Sequence, residues 1–185
     1  MTVVLGVGNP IMGDDATGLA LLARVRARWA AGADRPAGGA AGGLIPLSSD
    51  RRDAAPAAAA LAEEEIRGVR FVDGGTAGME LLPVIQGARD LLLLDSLAGP
   101  GAPGEVVSLT GDQVPRLLRQ KLSPHQVGLL DLLSAARLLG REPERVAVVG
   151  VVAASPELDL ELSAEVAAAL DDAAAAATGV LSSWT

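Results

Sequence analysis

Leu91-Leu92-Leu93-Leu94-Asp95 is an unbroken apolar run closed by an acid. It has no polar face, it is too short for a typical helix, and it fits a central strand of a parallel sheet covered on both sides. Upstream, Arg70-Phe71-Val72-Asp73 predicts a second strand ending at Gly74-Gly75, and Val3 to Val7 predicts a first strand entering the turn cluster Gly8-Asn9-Pro10. Downstream, Glu105 to Leu109 follows the Gly99 to Gly104 turn and predicts a short antiparallel edge strand, and Val146 to Val152 predicts the last strand. Helical spacing fills the gaps. Leu19, Leu22, Val25 and Trp29 form one stripe, with Asp14 or Asp15 expected as its N-cap. Short helices are expected over Ala57 to Arg67, Met79 to Gln86 and Val114 to Arg119. After a loop at Leu122 to Gln126, Val127 to Leu139 predicts a helix stopped by Gly140, and Ser163 to Leu181 predicts an Ala-rich helix docked on the sheet. The expected fold class is α/β, a three-layer sandwich whose twisted, mostly parallel sheet has about five strands with helices on both faces.

The chain has 185 residues, 50% of them hydrophobic, and a formal net charge of −8, which fits one domain over 1–185. Residues 30–60, rich in Ala, Gly and Pro, read as a flexible surface insertion. An acidic chain is a poor phosphate binder, so no nucleic-acid partner is expected. Cysteine is absent, which excludes thiol nucleophiles, zinc-thiolate centres and disulfides, and leaves one imidazole, His125, for any histidine chemistry. No basic segment precedes the first apolar run and no apolar stretch is long enough to span a bilayer. A cytoplasmic protein without membrane insertion is therefore expected; the sequence leaves the oligomeric state open, with a monomer as the expectation.

Ligands of open parallel sheets bind outside the carboxyl ends of the strands. Asp15 follows the first predicted strand, and Asp73 and Asp95 close the next two, so all three acids are expected at one edge, with His125 in a later loop able to reach it. Asp15, Asp95 and His125 supply two hard oxygen donors and one borderline nitrogen, a set that suits a divalent ion such as nickel or zinc with positions left open. Each has an ordinary alternative: Asp15 as a helix cap, Asp95 as a partner of loop amides, His125 as a cap of its own helix. Gly6-Val7-Gly8-Asn9-Pro10-Ile11 begins like a dinucleotide fingerprint, but Ile11 stands at the third glycine and two acids follow where phosphate would sit. Asp73-Gly74-Gly75-Thr76 is a poor match to an aspartic-protease turn, and no Gly-x-Ser-x-Gly elbow supports a serine hydrolase.

Four segments in order, Gly6 to Gly18, Asp73-Gly74-Gly75-Thr76-Ala77-Gly78-Met79-Glu80-Leu81-Leu82, Leu94-Asp95-Ser96 and Ser123-Pro124-His125-Gln126-Val127-Gly128-Leu129, resemble the hydrogenase maturation endopeptidases. The wording of the second and fourth is closest to members serving uptake-type hydrogenases. The resemblance covers nearly the whole chain outside 30–60, where family members connect more briefly. It implies a cytoplasmic protease that removes a C-terminal extension from the large-subunit precursor of a nickel-iron hydrogenase once nickel is in place. It also implies that Asp15, Asp95 and His125 are the nickel-binding positions and that Asp73 is a supporting acid of the catalytic set. Three such ligands leave coordination positions free, so the nickel is expected to be held by the substrate and shared during recognition. The metal then either polarises the scissile carbonyl and activates water, or positions the peptide while Asp15, Asp73 or Asp95 acts as base. The main rival is a metallochaperone or docking protein that binds the nickel-loaded precursor without cutting it. A nucleotide-binding protein using the glycine loop is the more distant one.

Overall fold

The computed structural model describes residues 1–32, 61–99, 101–111, 113–114, 124–154 and 159–185, with only the backbone of 124–130 included. The expected insertion at 30–60 lies almost wholly outside the described residues, as do 115–119 of the expected Val114 to Arg119 helix. Six strands form one mixed sheet in the order β2-β3-β1-β4-β6-β5. They are β1 (Thr2–Val7), β2 (Ala62–Ile66), β3 (Val69–Gly75), β4 (Asp90–Leu97), β5 (Val106–Thr110) and β6 (Arg145–Val152). The inner four, β3, β1, β4 and β6, are parallel, and β2 and β5 close the two edges antiparallel.

The leucine run is buried throughout and splits by parity between two cores. Leu92 and Leu94 join Val4, Phe71 and Val149 beneath α1 (Thr17–Ala30) and α4 (Ala164–Trp184). Leu91, Leu93 and Leu97 join Val3, Leu5, Val72 and Val148 beneath α2 (Leu82–Gly87) and α3 (Pro124–Leu138). This is the expected three-layer arrangement, and the edge strand β5 is where the turn-rich sequence put it. Ser163 caps α4, accepting from Val166 N–H at 3.4 Å, and Gly140 ends α3 with Arg141 N–H bonded back to the carbonyl of Ala136.

Four expectations need correction. The sheet has six strands because Ala62–Ile66, read as part of a helix, pairs with β3. An Ala/Glu-rich segment has helical propensity, but the Arg67-Gly68 turn, with φ 51° and 77°, folds it back as a hairpin. Trp29 secures that hairpin: its indole N–H donates to the carbonyl of Ile66 at 3.2 Å, and Arg67 donates to the carbonyl of Trp29 while lying over the ring. α3 begins at Pro124 instead of Val127, since Pro is preorganised for a first helical turn, so His125 lies in that turn and not in a loop. The apolar stripe of α1 buries Leu21 with Leu22, Val25 and Trp29, whereas Leu19 stays part-exposed. Finally, neither Asp14 nor Asp15 caps α1, because a 3-10 turn (Gly13–Ala16) precedes it and Ala16 occupies the capping position.

At the amino edge of the sheet, Asp90 is fully buried and fastens three strands. It accepts from Arg145 Nε at 2.6 Å, Arg89 Nη2 at 3.0 Å and Thr2 Oγ1 at 3.1 Å. The Arg145 guanidinium holds its carboxyl down at about 2, against the upward push of burial. A lowered native pKa makes this contribution present above pH ~4 and lost as pH falls towards 2. Asp90→Ala should therefore cost about 2–3 kcal/mol at pH 7 in urea denaturation, and distinctly less near pH 2.5. An unchanged midpoint at pH 7 would show that the cluster does not fasten the sheet.

Candidate active site

At the carboxyl edge, β1 runs into a tight turn that brings the chain back against its own exit. Gly8 sits at φ 138°, and a Cβ there would lie 1.9 Å from the carbonyl oxygen of Asp15. Only glycine fits so close an approach. Gly8 N–H donates to the carbonyl of Gly75 at 3.0 Å, tying the turn to the end of β3. Within it, Asp15 Oδ2 accepts from Asn9 N–H at 2.9 Å and Asn9 Oδ1 from Ile11 N–H at 3.2 Å. The part-exposed Asp15 carboxylate is thus oriented by backbone on the rim of the sheet.

Asp95 is not the last residue of its strand. β4 continues to Leu97 because β6 accompanies it, with Asp95 paired to Gly150 and Leu97 to Val152. That extension leaves the Asp95 side chain only 2% exposed. Burial pushes its carboxyl up to about 8, the 2.8 Å bond from Ser96 N–H pulls it down, and the negative charge of Asp15 pushes it up again. Asp15 and Asp95 therefore lie within electrostatic reach of each other, and burial favours the neutral form of Asp95.

Asp73 reaches the same edge on the other face. In register, Gly6 stands opposite both Asp73 and Leu94, so Asp73 shares the α1 side with Leu94 while Asp95, one residue on, faces the α2 and α3 side. The exposed Asp73 accepts from Gly75 N–H at 3.1 Å and lines a groove of about 320 Å³ with Leu19, Leu22, Arg26, Glu64 and Phe71. The sheet thus brings Asp15 and Asp95 together and holds Asp73 apart.

The backbone of His125 lies in the first turn of α3, on the layer faced by Asp95. Because α3 leads by a short link into the start of the parallel strand β6, its first turn lies towards the carboxyl edge. The His125 side chain is outside the described residues. Among the described residues, no three His, Cys, Asp or Glu side chains converge as a metal site, and no helix is long and apolar enough to cross a membrane.

Two contributors escaped the sequence reading. Asp14, read with Asp15 as a possible cap, instead accepts from Ser163 N–H at 2.7 Å, Ala154 N–H at 2.8 Å and Ser163 Oγ at 3.0 Å. Adjacent identical acids carry no signal of which one turns inward. Gly18, the second residue of α1, gives that helix its closeness to the sheet; a glycine at the start of the first helix was the available sign.

The family model described as HycI, hydrogenase maturation protease, matches residues 57–180. The hydrogenase 2 maturation protease of Escherichia coli (strain K12) is 31% identical over 172 residues, covering 92% of this chain and 84% of that protein. The hydrogenase expression/formation protein HupD of Rhodobacter capsulatus is 34% identical over 122 residues, covering 63% of this chain and 56% of that protein. Among solved structures, the hydrogenase maturating endopeptidase HybD from E. coli aligns with a TM-score of 0.74 at 30% identity, over 99% of this chain and 93% of that one.

Proposed function

The chain belongs to the hydrogenase maturation protease family, and on that premise we propose that it cleaves the C-terminal extension from a nickel-iron hydrogenase large-subunit precursor, recognising substrate-held nickel through Asp15, Asp95 and His125. The observation that carries this reading is the Asp95 carboxyl, buried near the carboxyl edge of the sheet with the Asp15 charge close by. Ionising a carboxyl there is costly in the absence of a cation, and that cost is repaid when one arrives. Two carboxylates and one imidazole form an incomplete donor set, suited to an ion that already has ligands of its own. The nickel is then part of the substrate, and its charge at the cleavage segment is what tells a loaded precursor from an empty one.

In this reading Asp95 releases its proton to solvent water as the loaded precursor docks. Asp15, part-exposed and oriented by Asn9 N–H, would supply the base for a water approaching the scissile carbonyl. Asp73, beside the α1 groove, has a supporting role at the rim. The action is assigned to the cytoplasm, where a precursor acquires its metal before it closes.

The test is the intact mass of the precursor after incubation with wild-type protein and with His125→Ala, run on nickel-loaded and nickel-free substrate. The expected result is loss of one C-terminal peptide from the loaded precursor only. The variant should cleave at least 100-fold more slowly, a loss on the scale of removing a metal-site partner, while its thermal midpoint stays near wild type. Complex formation without any cleavage would overturn the protease reading. Equal cleavage of both substrates would overturn recognition through nickel, and a fully active His125→Ala would remove His125 from the site.

A further inference from the structure

Asp14 is 2% exposed and stands beside Asp15 in the 3-10 turn that follows β1. Among the described residues its carboxylate is met by donors from a distant part of the chain: Ala154 N–H just beyond β6, and Ser163 N–H and Oγ at the start of α4. A second strap runs parallel to these, with Gly13 N–H donating to the carbonyl of Asp159 at 2.7 Å. Thr17 Oγ1 donates to the Asp14 carbonyl at 2.6 Å and fixes the start of α1 to the same turn. A buried carboxylate with three convergent donors has little freedom to rotate, and the backbone that bears it has little freedom to shift.

The neighbouring side chain is the one whose placement matters. Asp15 has a single methylene between its backbone and its carboxyl, so any displacement of the turn is passed almost undiminished to its oxygens. A reacting group displaced by about 1 Å from its productive position can lose 100-fold in rate. Asp14 touches neither the proposed substrate nor the reacting atoms.

We propose that Asp14 is a positioning residue of the candidate active site: its hydrogen bonds to Ala154 and Ser163 lock the turn after β1 against the start of α4 and so set where the Asp15 carboxylate stands relative to Asp95. This rests on the reading of Asp15 and Asp95 as working parts of the protease. Ser163 acts at second hand, since its hydroxyl bonds Asp14 while also capping α4. The arrangement also explains why an Asp-Asp pair is used. The first acid is spent on the scaffold and the second remains for the site.

The experiment compares single-turnover and steady-state processing of the nickel-loaded precursor by wild type, Asp14→Ala, Ser163→Ala and Ser163→Thr, at a temperature where circular dichroism shows each variant fully folded. Wild-type cleavage is the internal control: without it, the reading of the site fails and not the role of Asp14. Given cleavage, Asp14→Ala should lower kcat about 100-fold with KM within about twofold, because docking is retained and the reacting group is misplaced. Ser163→Ala should lower kcat about 10-fold, and Ser163→Thr, which keeps the hydroxyl, should recover most of it. Lengthening the neighbour is the sharper arm. Asp15→Glu introduced into Asp14→Ala should regain at least 10-fold in kcat, since the extra methylene lets the carboxyl reach from a displaced turn. A folded Asp14→Ala with wild-type kcat, a loss confined to KM, or no recovery with Asp15→Glu would overturn the proposal.

Discussion

Asp95→Asn is expected to give a protein more stable than wild type at pH 8 and unable to process precursor. Asn keeps the size of the side chain and the oxygen that accepts from Ser96 N–H, and it replaces the ionisable oxygen with an amide NH2 that cannot take a negative charge. In the nickel-free wild type the Asp95 carboxyl titrates at about 8, against 3.8 for an ordinary aspartate. Between these values the folded chain binds a proton that the unfolded chain has released, so stability falls as pH rises through that window. The variant is spared this loss. Its advantage should be absent below pH ~4 and reach about 2 kcal/mol or more at pH 8, roughly 5 °C in thermal midpoint for a domain of this size. Loss of processing alongside a gain in stability is the mark of a side chain kept for chemistry at the expense of the fold. A variant less stable than wild type at pH 8 would show that Asp95 is ionised and well satisfied in the resting protein, and the argument from its burial would fall.

The largest loss of stability is expected at Gly18. A Cβ there would lie 2.1 Å from the carbonyl oxygen of Val7 and 2.4 Å from that of Leu94. Both are backbone atoms of the central strands β1 and β4, so no side chain can swing aside, and α1 would have to lift off the sheet. α1 also carries Leu21, Leu22, Val25 and Trp29 into the core. Gly18→Ala should therefore cost about 3–5 kcal/mol, the range of severe core overpacking, and leave little folded protein at 37 °C. Urea denaturation of purified protein at 15 °C measures it. A loss below about 1 kcal/mol would mean that the helix can shift without disturbing the strands.

What the sequence revealed of this fold follows from how each element is determined. β4 and β6 were legible because strands buried on both faces must be apolar at every position. β2 was not, because Ala62-Glu63-Glu64-Glu65-Ile66 lies at an exposed edge where no burial imposes a pattern, and pairing with β3 overrides local preference. The gathering of acids at one edge could be read from the chain, but not the face each occupies. Facing depends on register, and the offset of one residue that puts Asp73 level with Leu94 instead of Asp95 reverses a side chain. The glycine loop, a poor dinucleotide fingerprint with Ile11 at its third glycine, did not show where α1 meets the sheet: that contact falls at Gly18, beyond the 3-10 turn. The burial of Asp95 depended on β4 outrunning its acid, which is decided by β6, a strand distant in sequence.

The bonds between Asp14 and Ser163 join positions 149 residues apart. A nascent chain emerging from the ribosome carries β1 and the turn with Asp15 first, but the residue that fastens that turn is synthesised much later, at the start of α4. Until then the turn has lost its chief restraint, and closing so long a loop must wait for the intervening sheet to bring its ends together. Order at the site is therefore a late event in the life of each molecule. The protein arrives at its working form only once α4 is in place.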